Sequence, residues 1–144
     1  MSSLPYFHQP HKAIKEMTAR AHYSSAVRLP GGIIKCSGQG GWDENFDFPG
    51  SDVSNEEHHR LQVEQAFKNV DEVVRAAGGN GWADVYSVRT YHLNIDFSLS
   101  PVVEQFEKWC GADHRPLFTC VGVTKLGDPQ MLIEVEVEAY SPQK

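Results

Sequence analysis

At 144 residues the chain is sized for one domain with a real core, and its 40% apolar and 22% charged residues are ordinary for a globular protein. A formal charge of −6 argues against a nucleic-acid backbone or an anionic membrane as the main partner. No run approaches the roughly 20 apolar residues of a membrane span. Cys36, Cys110 and Cys120 are an odd number without Cys-x-x-Cys spacing, which fits reduced thiols. Met1 to Pro5 lack the basic and then apolar regions of a secretory signal. A cytoplasmic location is expected, with a mitochondrial one left open.

In chain order, residues 1–20, rich in Pro, His and Lys, read as an irregular arm ahead of a domain at 21–141, with a short tail at 142–144. Tyr23 to Val27 and Ile33 to Ser37 are strand-like runs joined by a turn at Pro30-Gly31-Gly32. Gly38-Gln39-Gly40-Gly41 ends the second run and opens a loop over 42–55. In that loop, Trp42, Phe46 and Phe48 are either core anchors or a lid. Asn55 is placed to cap a helix whose first turn carries Glu56 and Glu57, where acids suit the positive end of the helix dipole. Val63, Ala66, Phe67, Val70, Val74 and Ala77 give it one apolar stripe, and Gly78-Gly79-Asn80-Gly81 stops it.

Asp84 to Leu93 reads as a strand rich in β-branched and aromatic residues. Ser100-Pro101, a cap followed by proline, predicts a helix through about Cys110. Leu117 to Val123 is a further strand. In the last one, Met131 to Tyr140, Ile133, Val135, Val137 and Ala139 alternate with Glu134, Glu136 and Glu138. One face is therefore apolar and the other carries carboxylates. The order implies an α+β domain with helices on one sheet face.

Five segments stand in order along the chain: Tyr23-Ser24-Ser25-Ala26-Val27, Cys36-Ser37-Gly38-Gln39, Gln65 to Val70 with Ala76-Ala77-Gly78, Thr119 to Val123, and Ile133 to Glu136. Together they resemble the Rid/YjgF family of reactive intermediate deaminases. The resemblance implies a chorismate-mutase-like domain, with a mixed sheet under two helices, assembled as a barrel-centred homotrimer with small-molecule sites in clefts between subunits. It implies hydrolysis of an enamine or imine to a carbonyl compound and ammonia, without a cofactor. It places Glu134 and Tyr23 in catalytic roles, and Ser37, Gly38 and Cys120 around the substrate.

The departure from the family pattern is Phe118. It stands in Pro116-Leu117-Phe118-Thr119-Cys120 where deaminating members have an arginine that grips the substrate carboxylate. Phenylalanine offers an apolar or aromatic surface instead. Arg115 lies three residues away, an odd offset that on a strand points to the opposite face unless a loop returns it. The expected substrate is thus an unsaturated nitrogen- or carbonyl-bearing metabolite other than a standard 2-iminoacid, acted on by a deaminase-like hydrolase or a diverted isomerase or cyclase. The alternative is a non-catalytic ligand-binding or regulatory trimer.

Other readings of these residues are blander. The three glutamates also fit a solvated strand face. Cys120 fits a small buried hydrophobe, since no sequence neighbour would lower its pKa. Neither His58-His59 nor His8 with His11 has a third ligand at a usual spacing, so no metal site is expected.

Overall fold

The computed structural model describes residues 2–143. Strand β1 is Tyr6–Phe7, helix α1 Lys12–Arg20, β2 Ala26–Arg28, β3 Ile33–Cys36, α2 Glu56–Ala76, β4 Val85–His92, α3 Ile95–Cys110, β5 Leu117–Gly122 and β6 Ile133–Tyr140. The strands form one six-stranded sheet in the order β1-β2-β3-β6-β4-β5, antiparallel except between β4 and β5. The α+β class with a mixed sheet is therefore present.

Chain connectivity explains why α2 and α3 cover the same face. Strands β4 and β5 are parallel neighbours joined through α3. Strands β3 and β4 both run antiparallel to β6, which lies between them, and are joined through α2. Each is a parallel crossover, and a right-twisted sheet accepts such crossovers almost always with one hand.

The strand alternation supplies the core beneath these helices. Ile133, Val135, Val137 and Ala139 of β6 are buried, as are Val63, Ala66, Phe67, Val70 and Val74 of α2. Phe67 stacks on Trp82, with ring centroids 4.6 Å apart. Asn55 caps α2 by accepting from the His58 amide at 3.2 Å, as its position predicts.

Four expectations are corrected. The stretch read as an irregular arm carries β1, which pairs with β2, and a third helix, α1. Ile14, Met17 and Thr18 lie at helical spacing, but a nine-residue helix without a side-chain N-cap has little stability alone. It holds because Ile14 packs with Trp42 and Met131 in a second, smaller core. The helix predicted from Ser100 begins at Ile95: Asn94 caps it by accepting from the Asp96 amide, and Pro101 falls inside the helix. Strand β2 starts at Ala26: Tyr23 still closes the end of α1 through its bond to Thr18 O, and Ser25 bonds to Phe7 and Ser37 just ahead of the strand. Arg115, expected on the face opposite Phe118, precedes β5 in a loop that carries it to the same side.

Two buried polar residues of α2 hold the long loop against the helix. Asn69 donates to the carbonyls of Gly40 (2.8 Å) and Trp42 (2.7 Å). Gln62 donates to those of Gly50 and Gln130 and accepts from the Leu132 amide. Burial without these bonds would cost free energy, so each side chain specifies one loop course. Among the described residues, no helix is long and apolar enough to cross a membrane.

Candidate functional site

The face of β6 turned away from the helices carries Glu134, Glu136 and Glu138, each partly buried. Their surroundings differ. Glu138 meets Lys35 Nζ at 3.0 Å and accepts from the Tyr86 hydroxyl at 3.1 Å. Glu136 accepts from the Tyr91 hydroxyl at 2.9 Å and lies 3.5 Å from Arg89 Nη1. Burial, and then repulsion from Glu136, raises the Glu134 pKa above the ordinary 4.5, with no hydrogen bond or cation among the described residues to offset the shift. Of three equivalent strand positions, one carboxylate is left partly desolvated and unneutralised.

Gly38 makes room for it. Beyond β3 the chain crosses to β6 through an isolated bridge in which Gln39 and Val135 exchange backbone hydrogen bonds, both 2.8 Å. Lys35 pairs with Glu138 and Gln39 with Val135, so the β3 side has gained one residue against β6. This irregularity brings Gly38 against the Glu134 side chain. A Cβ on Gly38 would stand 1.9 Å from Glu134 Oε1 and 2.7 Å from its Cγ. Only glycine leaves the carboxylate where it is.

A cavity of about 570 Å³ opens at this point, lined by Tyr23, Gly38, Trp42, Phe46, Met131 and Glu134 among others. Tyr23 is held by the end of α1. Its amide donates to Thr18 O at 3.0 Å, and the His22 amide to Ala19 O at 3.2 Å, with His22 in the left-handed region at φ 60°. This Schellman closure directs the chain from α1 to the cavity rim. The Tyr23 pKa is raised by burial and by the charge of Glu134. Trp42 is a buried anchor whose indole donates to Gln9 Oε1 at 3.3 Å, while half-buried Phe46 packs on it, with ring centroids 5.4 Å apart. The loop aromatics thus serve as core and as cavity wall.

The cavity therefore contains Tyr23, Gly38 and Glu134. Ser37 lies just outside it, its hydroxyl donating to Ser24 O at 2.7 Å and tying the strand ends together. Phe118 and Cys120 lie across the sheet. They stand in register with buried Val88 and Thr90 of β4, whereas Glu134 pairs with Tyr91 in the alternate position. Phe118 packs edge-on against Phe106 of α3, with ring centroids 5.0 Å apart. With Arg115 it lines a separate cavity of about 630 Å³. A single chain does not bring these residues to Glu134.

Sequence reading passed over Arg20, which lines the Glu134 cavity from the last turn of α1. Its signal was the helical spacing of Ile14, Met17 and Thr18, hidden by a segment that reads as an arm. A larger depression of about 680 Å³ lies beside Asn94 and Gly122. The buried group there, His92, has both ring nitrogens engaged, by Thr90 Oγ1 at 2.6 Å and Ser98 Oγ at 2.5 Å. It is spoken for structurally. Among the described residues, no cluster of three or more His, Cys, Asp or Glu could hold a metal ion.

Residues 13–141 match the endoribonuclease L-PSP family. The solved structure of YjgH is similar, with a TM-score of 0.79 and 26% identity over 99% of this chain and 100% of that one. A Mycobacterium tuberculosis member of the YjgF/YER057c/UK114 family is 27% identical, with a TM-score of 0.73, over 96% of this chain and 100% of its own. YyfA from Yersinia pestis, of the conserved Rid family, is 26% identical, with a TM-score of 0.70, over 83% of this chain and 87% of its own. No curated protein matches the chain.

Proposed function

The chain belongs to the YjgF/Rid (endoribonuclease L-PSP) family, and we propose that it hydrolyses an enamine, imine or related unsaturated carbonyl compound, with Glu134 as acid and base. The observation that carries this reading is the Glu134 carboxylate, unneutralised and held above its ordinary pKa in a cavity that also contains Tyr23. A base of this kind is better matched to proton transfer near neutrality than a solvated carboxylate.

In the proposed reaction Glu134 takes a proton from water as the water oxygen bonds to the C=N carbon. Glu134 returns that proton to nitrogen to give a carbinolamine, and then passes the hydroxyl proton to the amino group as the C=O bond forms and the C–N bond breaks, releasing ammonia and a carbonyl compound. Tyr23 orients the water or the substrate nitrogen through its hydroxyl. Standard 2-iminoacids are disfavoured because Phe118 replaces the guanidinium that would bind the α-carboxylate. An RNA substrate is disfavoured by a strand face carrying three carboxylates and by the overall charge.

A homotrimer fits the same geometry. The sheet face opposite the helices is half-exposed, and on the edge strand β5 exposed Leu117 adds apolar surface to it while Phe118 leaves apolar surface on the helix side. A neighbouring subunit would bring its Phe118 toward a cavity that one chain leaves open. Light scattering at micromolar concentration is expected to give about three times 16.1 kDa.

The test of the chemistry is Glu134→Gln. Ammonia release from an aromatic imine generated in situ should fall about 100-fold in kcat. The wild-type rate should lose its acid limb at a pH above 4.5, and the variant should lack that limb. An unchanged rate and profile would remove Glu134 from the chemistry and turn the test to Tyr23 and Cys120. No turnover by the wild type would instead point to the second reading, a non-catalytic ligand-binding module, which the placing of Phe118 and Cys120 on the opposite sheet face from Glu134 favours.

A further inference from the structure

Neither the strand pattern nor the family resemblance points to the cation in the Glu134 cavity. Arg20 reaches it from the last turn of α1, on the wall that also carries Met17 and Tyr23. It is exposed and belongs to none of the ion pairs among the described residues. Its backbone is well fixed, by Ile14 packed on Trp42 and Met131 and by the closure at His22 and Tyr23. The negative end of α1 favours a cation at this position.

Arg20 is not there to neutralise Glu134. Among the described residues no ion pair joins Arg20 to Glu134, whose pKa is raised by burial and then by Glu136. The other acid of the cavity, Asp128, accepts the Gln130 amide at 2.8 Å within its own turn. Much of the remaining wall is apolar: Met17, Trp42, Phe46 and Met131. The cavity thus combines a reactive carboxylate, an apolar lining and a separate, uncommitted guanidinium.

Resting on the reading of Glu134 as acid and base, we propose that Arg20 is a specificity-determining residue that binds a carboxylate carried on an aromatic or apolar body, remote from the reacting carbon. The substrate class is then an aromatic or apolar imine or carbonyl compound with a distal carboxylate. The charge recognition lost at Phe118 is moved to a different element and to a different part of the substrate. A guanidinium pairs with a carboxylate through two parallel hydrogen bonds, which gives orientation as well as affinity.

Calorimetric titration of the full chain with 4-acetylbenzoate, its methyl ester and 2-oxobutyrate tests this assignment. Wild type is expected to bind 4-acetylbenzoate more tightly than either of the others. Arg20→Gln should weaken 4-acetylbenzoate by about tenfold or more and leave the ester unchanged. Arg20→Lys should recover part of the loss, and Arg115→Gln should have no effect. The assignment is overturned if wild type does not bind 4-acetylbenzoate, if Arg20→Gln weakens acid and ester equally or neither, or if Arg115→Gln carries the loss. Turnover by Glu134→Gln separates the two readings. Intact turnover with a charge-selective Arg20 effect removes the acid/base role and keeps Arg20. Lost turnover without that effect removes Arg20 alone.

Discussion

The two faces of β6 are built from alternate residues of one octapeptide, yet different forces define them. On the covered face Ile133, Val135, Val137 and Ala139 are almost fully buried under α2 and α3, and each is interchangeable in kind with its neighbours. On the open face Glu134, Glu136 and Glu138 are identical in sequence and unlike in state. Two are matched by tyrosine and a cation from β3 or β4, and the third faces a cavity. Burial of apolar surface is non-directional and tolerates any partner. The state of a carboxylate depends on which individual groups stand within a few ångströms.

The largest expected effect tests the covered side, where polar groups are also enclosed. Burial, and then the neighbouring His59, depresses the His92 pKa to about 4. The unfolded chain would take that proton near the ordinary 6.5, before the folded chain does. Stability from this group is therefore complete above pH 6.5, falls as pH drops toward 4, and changes no further below. The loss should approach roughly 3 kcal/mol at the acid end. Urea unfolding at pH 7 and pH 4 measures it, and His92→Gln should flatten the difference. An equal pH slope in that variant would put the acid sensitivity on the open face instead.

Next in size is Gly38→Ala, which acts on the open face through sterics alone. The added methyl overlaps the Glu134 carboxylate and its Cγ, so the side chain has to leave its position. Turnover should fall nearly as far as in Glu134→Gln, about 100-fold. The unfolding free energy should change by about 1 kcal/mol or less, because Gly38 is not at positive φ. Full activity in Gly38→Ala would show that the position of Glu134 is not what the chemistry requires.

The smallest effect is expected two pairs further along the same face. Lys35 and its hydrogen bond, followed by that of Tyr86, lower the Glu138 pKa against a partial cost of burial. This stabilisation is present above the ordinary pKa of 4.5 and is lost as pH falls below it. Both side chains remain about a third to a half exposed, so solvent screening reduces the pair to about 0–1 kcal/mol. Glu138→Gln should shift the denaturation midpoint barely and leave turnover unchanged. A large loss of activity would mean that the cavity extends along the strand.

Much of the fold was legible because its signals are local and repeated. The stripe from Val63 to Ala77, the Asn55 cap and the alternation of β6 each state a periodicity that holds whatever the rest of the chain does. The failures occurred where a tertiary partner outweighed a local cue. Ser100-Pro101 reads as a helix start, but the cap at Asn94 and burial of Val102 and Gln105 carry the helix through the proline. α1 has weak helical signals of its own and forms against Trp42 and Met131, which come from two distant segments.

The same division runs through the candidate site. Glu134, Tyr23 and Gly38 were recoverable from family-like segments, and the cavity contains all three. That Phe118 and Cys120 stand behind the sheet follows from the pairing of β5 with β4, a register that strand sequences do not encode alone. Arg20 was hidden for a related reason. Its importance lies in the meeting of a helix from the first twenty residues with a strand from the last dozen, and no spacing along the chain expresses that distance. Sequence by itself determined the α2 stripe with its Asn55 cap and the apolar face of β6, since these depend on neighbours a few positions away. Only the tertiary structure decided which glutamate is left unneutralised and which arginine shares its cavity, because electrostatic environment is set by approach through space.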